Sequence, residues 1–272
     1  MTEISQVVSP FQAILDFENS RGIPPGWVNH SISTSGLDGS WQKLEKGSIP
    51  LNADFFKGFK ADLSNESRWR TYYARHLARS RKENLSDAAE ETAFQVPPVP
   101  DIDAEWLYWE MMRVARTPDP HMYPALKRLR AIADTSEGRL LVCALSNTSI
   151  FPPGHPYHDS GTPDGKQHLE LRGMFDVFIS SAHVGMRKPD EEIYRYTVTR
   201  IHELAKTKYG GEDEGVKPED IVFLDDIGAN LRTAKGLGMQ TIKVTLGQAD
   251  KAVVELEKLM GLELRGGSRA RL

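Results

Sequence analysis

From Pro118 onward the sequence alternates between short apolar runs and helical patterns, and this order constrains the fold more than any other feature. The runs are Leu140-Leu-Val-Cys-Ala-Leu145, Phe175-Asp-Val-Phe-Ile179, Ile221-Val-Phe-Leu224 and Gln240-Thr-Ile-Lys-Val244. The first has the length and β-branching of a buried strand. A helical pattern near Tyr123 to Ala133 precedes them, and others lie at about 190 to 206, 228 to 237 and 250 to 260. Strands that alternate with helices in this way argue an α/β fold, a parallel sheet with helices on both faces.

The region before Pro118 reads differently. Ser9-Pro10-Phe11 offers a hydroxyl cap and a proline at the first helical position, with Phe11, Ile14, Leu15 and Phe17 on one face. Gly22, Pro24 and Pro25 end that helix. Residues 28 to 40 are small and polar and read as a loop, and helical patterns resume around Trp41, Leu44, Phe55, Phe56, Phe59 and Leu63. No convincing strand appears up to about Thr117, and the prolines of Gln95-Val-Pro-Pro-Val-Pro-Asp101 extend the chain and split the helical region. At roughly 150 residues per domain, the 272 residues allow one core domain with a sizeable insertion. The expected division is a helical region at 10–117, an α/β core at 118–264, residues 1–9 ahead of them, and a frayed tail at 265–272.

Lys and Arg number 34 against 38 Asp and Glu, a net charge of −4 that provides no electrostatic footprint for nucleic acid or membrane. The longest apolar run, Leu140 to Leu145, is far short of the roughly 18 residues of a spanning helix. Residues 1–6 lack a secretory pattern, and the single cysteine, Cys143, excludes an intramolecular disulfide. The expected compartment is the cytoplasm.

In an open parallel sheet, ligands bind beyond the carboxyl ends of the strands. The first apolar run ends in Ser146-Asn147-Thr148, and the third in Asp225-Asp226 followed by Gly228 and Asn230. Between them, Gly185-Met-Arg-Lys-Pro-Asp190 places Lys188 in a loop before a helix. A hydroxyl and an amide can bind phosphate oxygens, a lysine supplies a compact positive charge, and adjacent carboxylates suit magnesium. These groups make half of a phosphoryl-transfer site.

Leu145-Ser146-Asn147, Arg187-Lys188-Pro189-Asp190 and Val222-Phe223-Leu224-Asp225-Asp226-Ile227-Gly228-Ala229-Asn230 resemble, in that order, motifs two, three and four of the haloacid dehalogenase (HAD) superfamily. The likeness is to subfamily IA, the branch with the phosphatase-like amino-terminal domain of mammalian soluble epoxide hydrolase and the hydrolase-like domain of some acyl-CoA dehydrogenases. It covers nearly the whole chain. The resemblance implies a Rossmann-like core with a helical cap inserted after the first strand. It also implies a magnesium-dependent phosphatase acting through an aspartyl-phosphate on a small phosphorylated or other small-molecule substrate. By family role, Ser146 bonds the phosphoryl group with Asn147 beside it, and Lys188 neutralises it and holds the nucleophile. Asp225 ligates Mg2+, Asp226 assists at the metal, and Asn230 supports the loop.

The family's first motif supplies the nucleophile, an Asp at the end of the first core strand, roughly ten residues before Ser9. Met1 to Val8 contain no Asp, and Ile4 to Val8 offer only a stub of that strand, so the first strand is expected to be missing or truncated. The expectation for this chain is little or no turnover by the family mechanism. It is either a short reading of an active enzyme or a non-catalytic binding or regulatory protein that kept the pocket. A dehalogenase shares the fold without needing magnesium, and the Asp225-Asp226 pair leans towards the phosphatase branch. A two-component receiver domain combines similar groups in the reverse order.

Other candidates have plainer explanations. Asp16 reads as a solvated helix position, Asp38 before Gly39 as a turn residue, and Cys143 as packing. His155, His158 and His168 could suggest a metal site, but their proline and glycine neighbours suggest a long flexible loop. Trp41 and the 29–39 stretch could select substrate, although a buried tryptophan is the commoner explanation.

Overall fold

The computed structural model describes residues 2–3, 10–84, 96–209 and 215–265. In chain order the elements are β1 (Thr2–Glu3), α1 (Phe11–Ser20), α2 (Trp27–Thr34), α3 (Ser40–Glu45), α4 (Ala53–Leu63), α5 (Glu66–Asn84), α6 (Ala104–Val114) and α7 (Met122–Asp134). They continue with β2 (Cys143–Ser146), α8 (Pro163–Gly173), β3 (Val177–Ser180), α9 (Ser181–Val184), α10 (Glu191–Tyr209), β4 (Val222–Asp225), α11 (Gly228–Gly236), β5 (Gln240–Lys243) and α12 (Ala249–Met260). The chain forms two compact units. One gathers Met1–Ser9, Glu45–Pro50 and Arg116–Leu272, and the other Pro10–Leu44 and Leu51–Ala115.

The first unit is α/β, and its strands pair in parallel. β4 lies between β1 and β5 in a three-stranded ladder, β2 pairs with β3 in a two-stranded one, and β1 lies beside β2 where the two ladders meet. β1 is two residues long, with Thr2 opposite Val222 and Glu3 opposite Phe223. The strand expected to be missing or truncated is present as this two-residue segment, between β4 and β2, while the anticipated stub at Ile4 to Val8 lies outside the described residues.

Continuous apolar runs follow from cover on both faces. Ile221 and Phe223 pack with Ile193, Tyr194 and Ile201 of α10 on one side. Val222 and Leu224 pack with Leu126 and Leu129 of α7 and with Val253 and Leu256 of α12 on the other. The β2–β3 register is fixed from its amino end by Asp176. Its N–H donates to the Val142 carbonyl at 2.7 Å, and its buried carboxylate accepts from the Val142 N–H at 2.9 Å and from Arg130 at 2.8 Å.

The second unit is helical among its described residues, and it corrects one expectation. Residues 28 to 40, read as a loop, hold most of α2 and a 3-10 turn at Gly36–Asp38. Serines and threonines disfavour helix interiors, but tertiary contacts override that preference. Gly26, at φ 92°, begins the helix with no side-chain cap of its own. Glu18 supplies one from α1, accepting from the Gly26 N–H at 2.6 Å and the Val28 N–H at 2.7 Å. A carboxylate at a helix N-terminus also meets the positive end of the macrodipole. At the other end Arg68 donates to the Ser31 and Asp62 carbonyls, while Trp27 and Val28 are fully buried.

Two smaller differences concern helix starts. Pro10 takes the N-cap position of α1, and the proposed hydroxyl cap, Ser9, lies outside the described residues. The stretch read as a flexible loop through His168 contains α8, whose N-cap is Thr162, accepting from the Gly165 N–H at 3.0 Å with Pro163 in the first turn. Thr-Pro-Asp at 162 to 164 is a helix-start signal that the glycines around it obscured. Of the expected tail, residues 266–272 lie outside the described residues.

Burial raises the Glu18 carboxyl above its ordinary 4.5, with the two backbone N–H bonds opposing. Between the ordinary and raised values the folded chain holds a proton that the unfolded chain releases, so stability falls as pH rises through that window. Urea titrations between pH 4.5 and about pH 7 will show this fall in the native chain and not in Glu18→Gln. Glu18→Ala, which leaves two N–H groups without an acceptor, will cost about 2–3 kcal/mol.

Candidate functional site

Because the strands are parallel, the polar residues that end them collect at one edge of the sheet. Ser146 lies opposite Ser180 at the ends of β2 and β3, and Asp225 ends β4. The loop after α9 brings Lys188 to the same edge. Its ammonium donates to Asp225 Oδ2 at 2.7 Å and lies 5.5 Å from the centre of the Phe223 ring. Both partners are removed from water, Lys188 at 6% exposure and Asp225 at 4%. A buried pair is tolerable only when the remaining hydrogen-bonding capacity is filled.

For the carboxylate, that capacity is filled by the turn after β4. Asp225 Oδ1 accepts from the Ile227 N–H at 2.7 Å and from Asn230 Nδ2 at 3.0 Å, and Oδ2 accepts from Asn230 at 3.2 Å. Asn230 is held in turn by Tyr194, whose hydroxyl donates to its carbonyl at 3.0 Å. The backbone of Lys188 is gripped by Asn147, whose Oδ1 accepts from the Lys188 N–H at 2.8 Å and whose Nδ2 donates to the Lys188 carbonyl at 3.0 Å. The structure therefore brings Asn147, Lys188, Asp225 and Asn230 into one bonded network. Ser146 sits half-buried at the β2 end, and Asp226 half-buried next to Asp225.

Both oxygens of Asp225, expected to ligate a metal, are engaged by Lys188, Asn230 and a backbone N–H. Asp226, expected to assist, is the more accessible carboxylate of the pair. Among the described residues no three His, Cys, Asp or Glu side chains gather as a metal site. Magnesium commonly needs only one or two carboxylates when waters and substrate oxygens complete its shell, and Asp225 and Asp226 are the adjacent carboxylates at the end of β4.

Sequence reasoning passed over the hydroxyls behind Ser146. The Thr148 hydroxyl lies 2.5 Å from that of Ser180, which lies 2.7 Å from His183 Nδ1. The Ser181 hydroxyl accepts from the Thr148 N–H at 2.9 Å. The polar end of the Phe175 to Ile179 run was the available signal.

The remaining candidates lie outside this network. His155 stacks on Phe151 at 4.5 Å and His168 on Tyr157 at 5.8 Å, with the Arg116 guanidinium 4.5 Å over the Tyr157 ring. Burial lowers the pKa of both histidines, and the cluster reads as stacked packing. Trp41 packs within the helical unit against Phe59 and Tyr108. Cys143 is fully buried in β2, and burial pushes its thiol up to about 12.

The parallel pairing of the strands, with the three motif segments at their carboxyl ends, is the α/β arrangement expected from the resemblance to haloacid dehalogenase-like proteins. No protein-family model matches the chain. Its relatives include Bifunctional epoxide hydrolase 2 of Sus scrofa, 25% identical over 249 residues, covering 91% of this chain and 35% of that protein. Acyl-CoA dehydrogenase family member 10 of Mus musculus is 36% identical over 104 residues, covering 38% of this chain and 8% of that protein. The chain thus spans about a third of the first relative and less of the second. Among solved structures, a predicted HAD-like family hydrolase from Porphyromonas gingivalis gives a TM-score of 0.47 at 18% identity, covering 93% of this chain and 88% of that one. Among the described residues, no helix is long and apolar enough to cross a membrane.

Two outcomes follow from burial. Lys188→Ala leaves the buried Asp225 without its counter-ion and will cost about 3–5 kcal/mol in urea unfolding, whereas Asp226→Asn will stay within about 0.5 kcal/mol of native. Cys143 will resist iodoacetamide in the folded chain at pH 8 and react readily once urea unfolds it, because only the thiolate attacks.

Proposed function

We propose that the α/β unit binds a phosphorylated small molecule at the carboxyl edge of its sheet and derives from a magnesium-dependent phosphatase. The observation that carries this is the buried Lys188, fixed at its backbone by Asn147 and at its ammonium by Asp225. A phosphoryl oxygen entering beside Ser146 would meet that ammonium and the Ser146 hydroxyl, and fixed donors of this kind stabilise charge developing on a transferring phosphoryl group. Mg2+, when bound, would act as a Lewis acid on the same oxygens, with Asp226 as its protein ligand. The helical unit is read as the cap that selects the substrate.

Residues 1–9 contain no Asp, and the family nucleophile is an Asp in this part of the fold. A second reading is a phosphate-binding protein with little turnover by the aspartyl-phosphate route. The two readings share the pocket and differ in the nucleophile.

Calorimetric titration with inorganic phosphate, with and without Mg2+, tests the pocket, and hydrolysis of an aryl phosphate tests turnover. Native chain will bind phosphate, Lys188→Ala will bind it at least about tenfold more weakly, and Asp226→Asn will lose the magnesium dependence. Absence of phosphate binding at millimolar concentrations would sink the pocket. Magnesium-dependent hydrolysis well above the uncatalysed rate by the 272-residue chain would remove the non-catalytic reading.

A further inference from the structure

The segment Glu45–Pro50 is set between stretches of the helical unit in sequence but folds with the α/β unit. Its first three residues each meet the loop that carries Lys188 or the short helix before it. Glu45 Oε2 accepts from Arg187 Nε at 2.8 Å and Nη2 at 2.6 Å, with the two side chains 13% and 17% exposed. Lys46 pairs with Asp190 at 2.9 Å. Gly47, at φ 66°, comes so close to α9 that a Cβ there would lie 2.2 Å from the Ala182 carbonyl oxygen. Two adjacent charges, acid then base, thus meet a base and an acid that bracket Lys188-Pro189.

The first of these pairs also reaches the grip on the lysine. Asn147 Nδ2, which donates to the Lys188 carbonyl, lies 3.4 Å from the same Glu45 oxygen. Glu45 therefore gathers the residue that precedes Lys188 in the chain and the residue that holds its backbone. The Lys46–Asp190 pair is more exposed and contributes less, as solvent-screened pairs do. Without Glu45, the partly buried Arg187 guanidinium loses both of these charge-assisted bonds, and the loop that aims Lys188 loses its outer support.

We propose that Glu45 is a positioning residue for Lys188, acting through Arg187 and Asn147 to hold the ammonium at the phosphate pocket. The inference rests on the reading of that pocket given above, and its test does not depend on a ligand. Lys188 acetylation by a brief pulse of acetic anhydride, followed by mass spectrometry with exposed Lys57 as the internal reference, reports how often the lysine leaves its seat. Glu45→Ala will raise the Lys188 rate at least about tenfold. The charge swap Glu45→Arg with Arg187→Glu will bring it back to within about threefold of native.

An unchanged Lys188 rate in Glu45→Ala would overturn the proposal. So would a parallel rise in Cys143 alkylation, which marks general loosening of the sheet. Repeating the pulse on native chain with inorganic phosphate separates the two claims: failure of phosphate to protect Lys188 counts against the pocket and leaves the Glu45 comparison intact.

Discussion

An ammonium and a carboxylate, both taken out of water, meet at the carboxyl edge of the sheet, and the surrounding structure is arranged so that the carboxylate is left with no oxygen unsatisfied. Desolvating two charges costs several kcal/mol each before any attraction is counted. The turn after β4 therefore folds back so that Ile227 and Asn230 can donate to Asp225. Tyr194 on α10 holds Asn230, and Thr233 on α11 donates to the Pro189 carbonyl at 2.9 Å, tying the lysine loop to the helix that follows the carboxylate. Three segments distant in sequence are fixed against one another by one ion pair and the bonds that make its burial possible.

The α/β core was legible because its physics is local and periodic. A strand covered on both faces must be apolar throughout, so Leu140 to Leu145 and Ile221 to Leu224 announce β2 and β4 to within a few residues. The places where the reading failed depend on partners far along the chain. The serine-rich stretch at α2 has weak intrinsic preference for helix, and its decisive contacts are a carboxylate from α1 and a guanidinium from α5. Neither leaves a mark within residues 28 to 40.

The site shows the same division. Chain order and strand-end placement marked Ser146, Asn147, Lys188, Asp225, Asp226 and Asn230, and the structure gathers Asn147, Lys188, Asp225 and Asn230 into one network. What sequence order does not resolve is which of two adjacent carboxylates turns inward. Asp225 ends β4 and faces the lysine, so its oxygens are occupied, while its neighbour remains nearer to solvent. Glu45 escaped notice for a simpler reason, because 142 positions separate it from Arg187.

A module inserted at a single point can be exchanged as a cassette, because two junctions define it. The helical unit here is threaded differently: its two stretches, Pro10–Leu44 and Leu51–Ala115, are parted by six residues that fold with the α/β unit. Swapping the helical segment for that of a relative would import a foreign Glu45-Lys46-Gly47 equivalent along with it. The graft would succeed only where the donor's residues match the charges at Arg187 and Asp190 and the close approach at Ala182. The two halves are therefore bound to co-inherit, although each has its own hydrophobic interior.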